Sequence, residues 1–270
     1  MLGIAAVAVP MGFLFGSGCA DQPTVVELFT SEGCSSSPAA DVLLNELAGR
    51  PDVLALSFHV DCWDDLGWAD PFATAWATRR HRDYNDALGR SSVYTPQMVI
   101  DGSAEVFGGN ARLVGQAVAA ARAARGQARR NPLGIGLRER SGGLDITVPA
   151  GHRRRETRIL AVRYDLRRGV LVKAGENRGR RLSHSHVVRE MIDLGAWTGD
   201  ACRLRALPAP AGQGIAVLVQ ELDGAGRPAA ILGAARQERG LLGVSADPRE
   251  AVARMVRTIR ANRDGGATPL

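Results

Sequence analysis

The sequence predicts an α/β domain of order β-α-β-α-β-β-α, followed by an all-β antiparallel sandwich and a C-terminal helix. Three observations carry this expectation. In the first half, apolar runs of strand length alternate with stretches at helical period. Beyond Pro132 the period falls to two, and turn residues recur at short intervals. Residues 247–262 return to helical period, with Val252, Met255, Val256 and Ile259 on one face. The implied division is a signal peptide over residues 1–20, an α/β domain over 21–126, a sandwich over 127–240, and a helix with a tail over 241–270.

Each element has its own warrant. Residues 25–30 are an apolar strand, and residues 39–48 a helix with Val42, Leu43, Leu44 and Leu47 as its stripe. Residues 53–60 form a second strand, apolar enough to be covered on both faces. A helix joins the two, so they should run parallel. A loop rich in aromatics and carboxylates follows at residues 61–71, then a helix over 72–88 with Gly89 as its C-terminal stop. Residues 97–101 and 104–107 read as a hairpin turned at Asp101-Gly102. Residues 110–125 form the closing helix, with Asn110 as N-cap. In the second half, strands are predicted at 133–138, 144–148, 157–166, 169–173, 203–207, 214–222 and 228–236, with turns at Ser141-Gly142-Gly143 and Asp223-Gly224.

The chemistry centres on Thr30-Ser31-Glu32-Gly33-Cys34-Ser35-Ser36-Ser37-Pro38, where the first strand runs into the first helix. A helix N-terminus presents unpaired N–H groups and the positive end of the helix dipole, which favours a thiolate over a thiol. The serines can cap the helix, and Pro38 suits its first turn. Strand, Cys-x-x-Ser-Pro and helix resemble the active-site layout of the thioredoxin superfamily, with Ser37 in the place of a second cysteine. That likeness implies a cis peptide bond at Pro96, beside the active cysteine. It also implies that Thr95 and Pro96 shape a peptide-binding edge. Cys34 and Cys62 each follow a strand at its carboxyl end, so a Cys34–Cys62 pair is geometrically open.

Residues 2–15 are an apolar run ending in Gly16-Ser17-Gly18-Cys19-Ala20, the pattern of a secretory leader cleaved after Ala20. A lipid anchor at Cys19 and an uncleaved anchor are the alternatives, and all three readings export the protein to the periplasm or beyond. Cleavage after Ala20 leaves Cys34, Cys62 and Cys202, so one thiol has no partner within the chain.

Net charge is +6, and of the 34 basic residues only Lys173 is lysine. The arginines are scattered among acids without interleaved aromatics, which argues against nucleic-acid binding. No cofactor motif is present. His59, Asp61, Cys62, Asp64 and Asp65 offer metal donors, as do His184 and His186. Neither set has the paired spacing of a metal site, and exposed loop histidines are the simpler reading of the second.

Three stretches together resemble one family: residues 25–41, residues 56–64 (Leu56-Ser57-Phe58-His59-Val60-Asp61-Cys62-Trp63-Asp64) and residues 94–102 (Tyr94-Thr95-Pro96-Gln97-Met98-Val99-Ile100-Asp101-Gly102). They are similar to the exported, thioredoxin-like domain-of-unknown-function 1223 family. Residues 175–182 and 186–189 look like its second-domain signature. Ser37 stands where members often carry cysteine, and Cys62 where they carry an aromatic. The resemblance implies the fold and leaves the activity open. The leading expectation is a monothiol thiol–disulfide oxidoreductase, with Cys34 as nucleophile, Ser37 as hydrogen-bond donor and Cys62 or an external thiol as resolving group. Its partner would be a protein or a small thiol or disulfide. The alternative is a non-catalytic module for a peptide or small ligand, walled by Trp63, Trp68, Trp76 and Tyr94. For Glu176, Asn177 and Arg180 the expectation is a structured turn between strands.

Overall fold

The computed structural model describes residues 22–127 and 133–240. The predicted leader and the predicted helix at 247–262 lie outside the described residues. No helix among the described residues is long and apolar enough to cross a membrane.

The first half follows the expected order. Strand β1 (Thr24–Thr30) leads to helix α1 (Ser37–Ala48), strand β2 (Val53–His59), a 3-10 turn at Asp64–Leu66, and helix α2 (Ala75–Ala87). Then come β3 (Gln97–Ile100), β4 (Ala104–Phe107) and α3 (Ala111–Gln127). β1 and β2 are parallel in register from Thr24↔Val53 to Thr30↔His59, as a helical crossover requires. Every residue of both strands is buried, because helices cover both faces of the sheet here. Val26, Leu28, Val53 and Ala55 meet Leu44 and Leu47 of α1 and Val114 and Val118 of α3. Val25, Phe29, Leu54, Leu56 and Phe58 meet Ala77 and Tyr84 of α2.

The terminal signals act largely as expected. Asn110 Oδ1 accepts from Leu113 N at 3.1 Å. Asp101 and Gly102 both have positive φ, +46° and +66°, as a tight hairpin turn demands. A Cβ at position 102 would also lie 2.1 Å from the carbonyl oxygen of Ala229, so only glycine fits.

The second half comprises β5 (Gly136–Arg140), β6 (Gly143–Val148), β7 (Thr157–Leu171), β8 (Arg181–Ala196), β9 (Cys202–Ala206), β10 (Gln213–Leu222) and β11 (Pro228–Glu238). Here the structure differs from the sequence expectation in three ways. The two strands predicted at 157–166 and 169–173 are one strand, β7. β8, sixteen residues long, was not expected at all. And the sandwich takes a different form. Strands β5-β6-β9 make a separate antiparallel sheet, while β7, β8, β10 and β11 extend the sheet of the first half. The resulting eight-stranded order is β11-β10-β7-β8-β2-β1-β3-β4.

β8 makes that continuity possible. It pairs antiparallel with β7 along its length and parallel with β2 at Ser57↔Val187. β7 and β10 are therefore covered on both faces. Leu160, Val162, Ala216 and Leu218 join the core under α2. Ile159, Ala161, Ile215, Val217 and Val219 meet Leu144, Ile146 and Val148 of the three-stranded sheet, with Trp197 between. A buried polar group ties the halves together. Glu27 of β1 accepts from Arg80 Nε of α2 at 2.9 Å, and Arg80 Nη2 donates to Gln220 Oε1 of β10 at 2.9 Å. Gln220 Nε2 in turn donates to Tyr84 OH at 2.7 Å, and Tyr84 OH donates to Glu27.

Candidate functional site

The turn between β1 and α1 places Cys34 ahead of the helix, with its N–H on the Ser31 carbonyl at 3.1 Å and its own carbonyl accepting from Ser37 N at 3.2 Å. The expected serine cap does not form. Ser36 is the N-cap by position, but its hydroxyl makes no capping bond. It lies instead 3.2 Å from Cys34 Sγ and donates to the Thr95 carbonyl at 3.4 Å. Cys34 Sγ itself is 3.7 Å from that carbonyl, and the Thr95–Pro96 bond is cis. The Thr95 carbonyl, next to the cis bond, thus lies beside both Cys34 and Ser36 at the start of the helix.

Burial pushes the Cys34 thiol up, but the Ser36, Ser37 and Thr95 hydroxyls outweigh it and hold the thiol below its ordinary value. Ser37 and Thr95 are both buried. Their hydroxyl oxygens, felt by the thiol, have no hydrogen-bond partner among the described residues.

The second loop comes alongside. A Cβ on Gly33 would lie 2.9 Å from the Trp63 carbonyl oxygen, so the absence of a side chain lets the two loops touch. Cys62, next to Trp63, is exposed. Its thiol is pushed up by loss of hydration and by the charges of Asp61 and Cys34. Cys34, Cys62 and Cys202 are all free, so the Cys34–Cys62 pair is unformed.

The aromatic wall does not assemble. Tyr94 donates its hydroxyl to Glu105, Trp68 Nε1 donates to Glu32 Oε2 at 2.8 Å, and Trp76 stands edge-on to Phe58 in the core, 5.9 Å between centroids. Trp63 likewise leans on that core. The metal donors also go elsewhere. His59 Nδ1 bonds Asp70 Oδ2 at 2.7 Å, and Asp61 Oδ1 accepts from Thr78 Oγ1 at 2.6 Å. No group of three or more such donors is placed to hold a metal ion among the described residues.

The second half of the chain contributes residues that the sequence reading left in a turn or on the surface. Asn177 is buried and donates through Nδ2 to the carbonyls of Glu32 at 2.8 Å and Cys34 at 2.9 Å. Arg180 Nη1 donates to Asn177 Oδ1 at 2.9 Å and holds the amide's orientation. Glu176 Oε2 accepts from Ser35 N at 3.1 Å. His184 and His186, expected as exposed loop residues, are buried in β8. His184 Nε2 meets Glu32 Oε1 at 3.1 Å, and its Nδ1 lies 3.6 Å from Asp41 Oδ2. Burial alone would lower its pKa, but the hydrogen bond to Glu32, with the nearby carboxylates of Asp41 and Glu32, raises it to about 9. His184 is therefore an imidazolium between two buried carboxylates, directly beneath the cysteine loop.

Fold and site define a mixed α/β protein with a cysteine at the turn ahead of a helix. The chain belongs to the family described as "Protein of unknown function (DUF1223)", whose model matches residues 25–220. It is similar to a protein from Agrobacterium tumefaciens known by X-ray crystal structure. The two are 32% identical, the match covers 79% of this chain and 92% of that one, and the TM-score is 0.69. HBP35 of Porphyromonas gingivalis shares the fold alone, at 12% identity and TM-score 0.59, with 81% of this chain and 76% of that one covered. No curated protein matches the chain.

Proposed function

We propose that the protein is an exported, thioredoxin-like thiol–disulfide oxidoreductase of monothiol type, with Cys34 as its nucleophile. The observation that carries this reading is the Cys34 thiol, held below its ordinary value by the Ser36, Ser37 and Thr95 hydroxyls after the cost of partial burial. The thiolate is the nucleophile in disulfide exchange.

In the forward step the Cys34 thiolate attacks one sulfur of a substrate disulfide. A new S–S bond forms, the old one breaks, and the second substrate sulfur leaves as a thiolate. Ser37 cannot resolve the mixed disulfide. Cys62 on the neighbouring loop, or a second thiol from solution, attacks and releases the substrate sulfur. Export rests on the leader pattern of residues 1–20 and places the reaction where disulfides persist.

The test is the pH dependence of Cys34 alkylation in the mature chain, with Cys34→Ser as control and intact mass as readout. An alkylation pKa below the free-thiol value of ~8.5 is expected. A Cys62→Ser variant should then accumulate mixed disulfides with a model disulfide peptide. A normal Cys34 pKa sinks the reading.

A further inference from the structure

We propose that Cys34 is also a hydroperoxide-reactive site, at which the hydroxyls of Ser37 and Thr95 stabilise an oxygen atom carried on sulfur. This inference concerns a different substrate from the disulfide of the preceding section, and it draws on the same Cys34 thiolate, the same Ser37 and Thr95 hydroxyls and the same resolving thiol.

It starts from two unmet donors. Ser37 is 0% and Thr95 8% exposed, and neither Ser37 Oγ nor Thr95 Oγ1 has a hydrogen-bond partner among the described residues. Buried hydroxyls are normally paired, so two orphans beside one atom call for a reason. Both are close enough to affect the Cys34 thiol, yet neither bonds the sulfur; of the three hydroxyls only that of Ser36 does. An oxygen atom on Sγ would sit one bond length beyond the sulfur and offer the acceptor they lack. The Thr95 carbonyl, already 3.7 Å from Sγ, could accept the proton of the resulting S–OH group. No residue in the Cys34-Ser35-Ser36-Ser37 turn can condense at once with an oxidised Cys34, because Ser37 replaces the second thiol.

The step balances with a hydroperoxide as oxidant. The Cys34 thiolate attacks the terminal oxygen of R–O–OH, an S–O bond forms and the O–O bond breaks. The RO⁻ fragment leaves and takes up a proton, and sulfur is oxidised to sulfenic acid while the peroxide is reduced to an alcohol, or to water for hydrogen peroxide. A thiol, either Cys62 or one from solution, then condenses with the sulfenic acid, forming a disulfide and releasing water. The Ser37 and Thr95 hydroxyls act as donors to the oxygen being transferred and hold it in line with the sulfur, while the negative charge departs on RO⁻.

The reduced full chain is mixed with hydrogen peroxide in the presence of dimedone, and adducts at each cysteine are quantified by peptide mass. Cys34 is expected to be labelled at least roughly tenfold faster than Cys62 and Cys202 in the same molecule. Ser37→Ala and Thr95→Val are compared with wild type at a pH well above the Cys34 alkylation pKa of each form, where all the thiol is ionised. There they should slow the peroxide reaction by roughly tenfold, while iodoacetamide alkylation changes less than about twofold. Thr95→Ser, which keeps the hydroxyl, should retain the wild-type rate. The inference is overturned if Cys34 is oxidised no faster than Cys62, or if both variants slow the two reagents equally. A low alkylation pKa with slow oxidation removes the peroxide role and leaves the disulfide role standing. A normal alkylation pKa removes both.

Discussion

Asn177 donates through one nitrogen to two carbonyls, that of Glu32 at 2.8 Å and that of Cys34 at 2.9 Å, and so clamps the peptide on either side of Gly33. The amide comes from the loop between β7 and β8, more than 140 residues away in sequence. The cysteine loop is thus held by the second half of the chain. Replacing Asn177 by alanine leaves two carbonyls short of a donor, one of them in the buried loop. A loss of about 1–3 kcal/mol is expected in urea melts. The alkylation pKa of Cys34 should rise in the same variant, because the thiol is no longer fixed against Ser36 and Thr95. Asn177→Gln, with the same amide on a longer stem, should restore part of the stability and less of the pKa.

His184 makes stability depend on pH. Its pKa is raised to about 9 in the folded protein by Asp41 and Glu32. The charged form therefore contributes stability that is complete below the unfolded value of about 6.5 and is lost as pH rises through about 9. Thermal melts across that window should show a falling midpoint in the wild type. His184→Gln should be less stable at about pH 6.5 and nearly flat above it, so the two curves converge in alkali. Parallel curves would mean that His184 does not titrate there.

The seven elements of the first half were legible because each carries a single period and a local stop signal. The Cys34 turn and Ser37 were legible because local sequence places them together, whereas Thr95 and Pro96, 61 residues and more from Cys34, were expected beside it only from the resemblance. β8 was not. Its buried stretch includes His184, Ser185 and His186, polar types that break the apolar pattern by which strands are recognised. These residues are buried because Glu32, Asp41 and Glu238 await them, and such partners lie far off in sequence. Missing β8 also hid the link between the halves, since it alone joins β7 to β2. Asn177 and Glu32 were missed for the same reason, as their roles exist only in the tertiary contact. The opposite error befell Trp68 and Tyr94. Aromatics in a loop suggested a ligand wall, whereas buried carboxylates take their polar atoms.

The Glu27–Arg80 pair is a second place where distant segments depend on each other. Both side chains are buried, and Tyr84 and Gln220 complete their hydrogen bonds. Arg80→Met leaves the Glu27 carboxylate buried without its cation, which should cost about 3–5 kcal/mol in urea unfolding. Glu27→Gln combined with Arg80→Met removes both charges. The double variant should be more stable than the sum of the two single losses, because each single variant strands a charge that the double does not. Additive losses would show that the two side chains act independently.

The three cysteines should react in a set order. Hydroxyl donors hold the Cys34 thiol low, while loss of hydration raises both Cys62 and Cys202, with the Asp61 charge adding to the rise at Cys62. At about pH 7, limiting iodoacetamide should therefore modify Cys34 first, with the other two following only as the solution is made alkaline. Exposure alone predicts the opposite, since Cys62 is exposed and Cys34 is partly buried. The experiment separates the two causes: thiolate fraction governs if Cys34 leads, and access governs if Cys62 does. Ser36→Ala should narrow the gap by raising the Cys34 pKa, because its hydroxyl is the one bonded directly to the sulfur. Cys62→Ser should lower the Cys34 pKa little, because Cys62 is still protonated where Cys34 ionises. Peptide mass mapping across a pH series reads all of these outcomes in one set of samples.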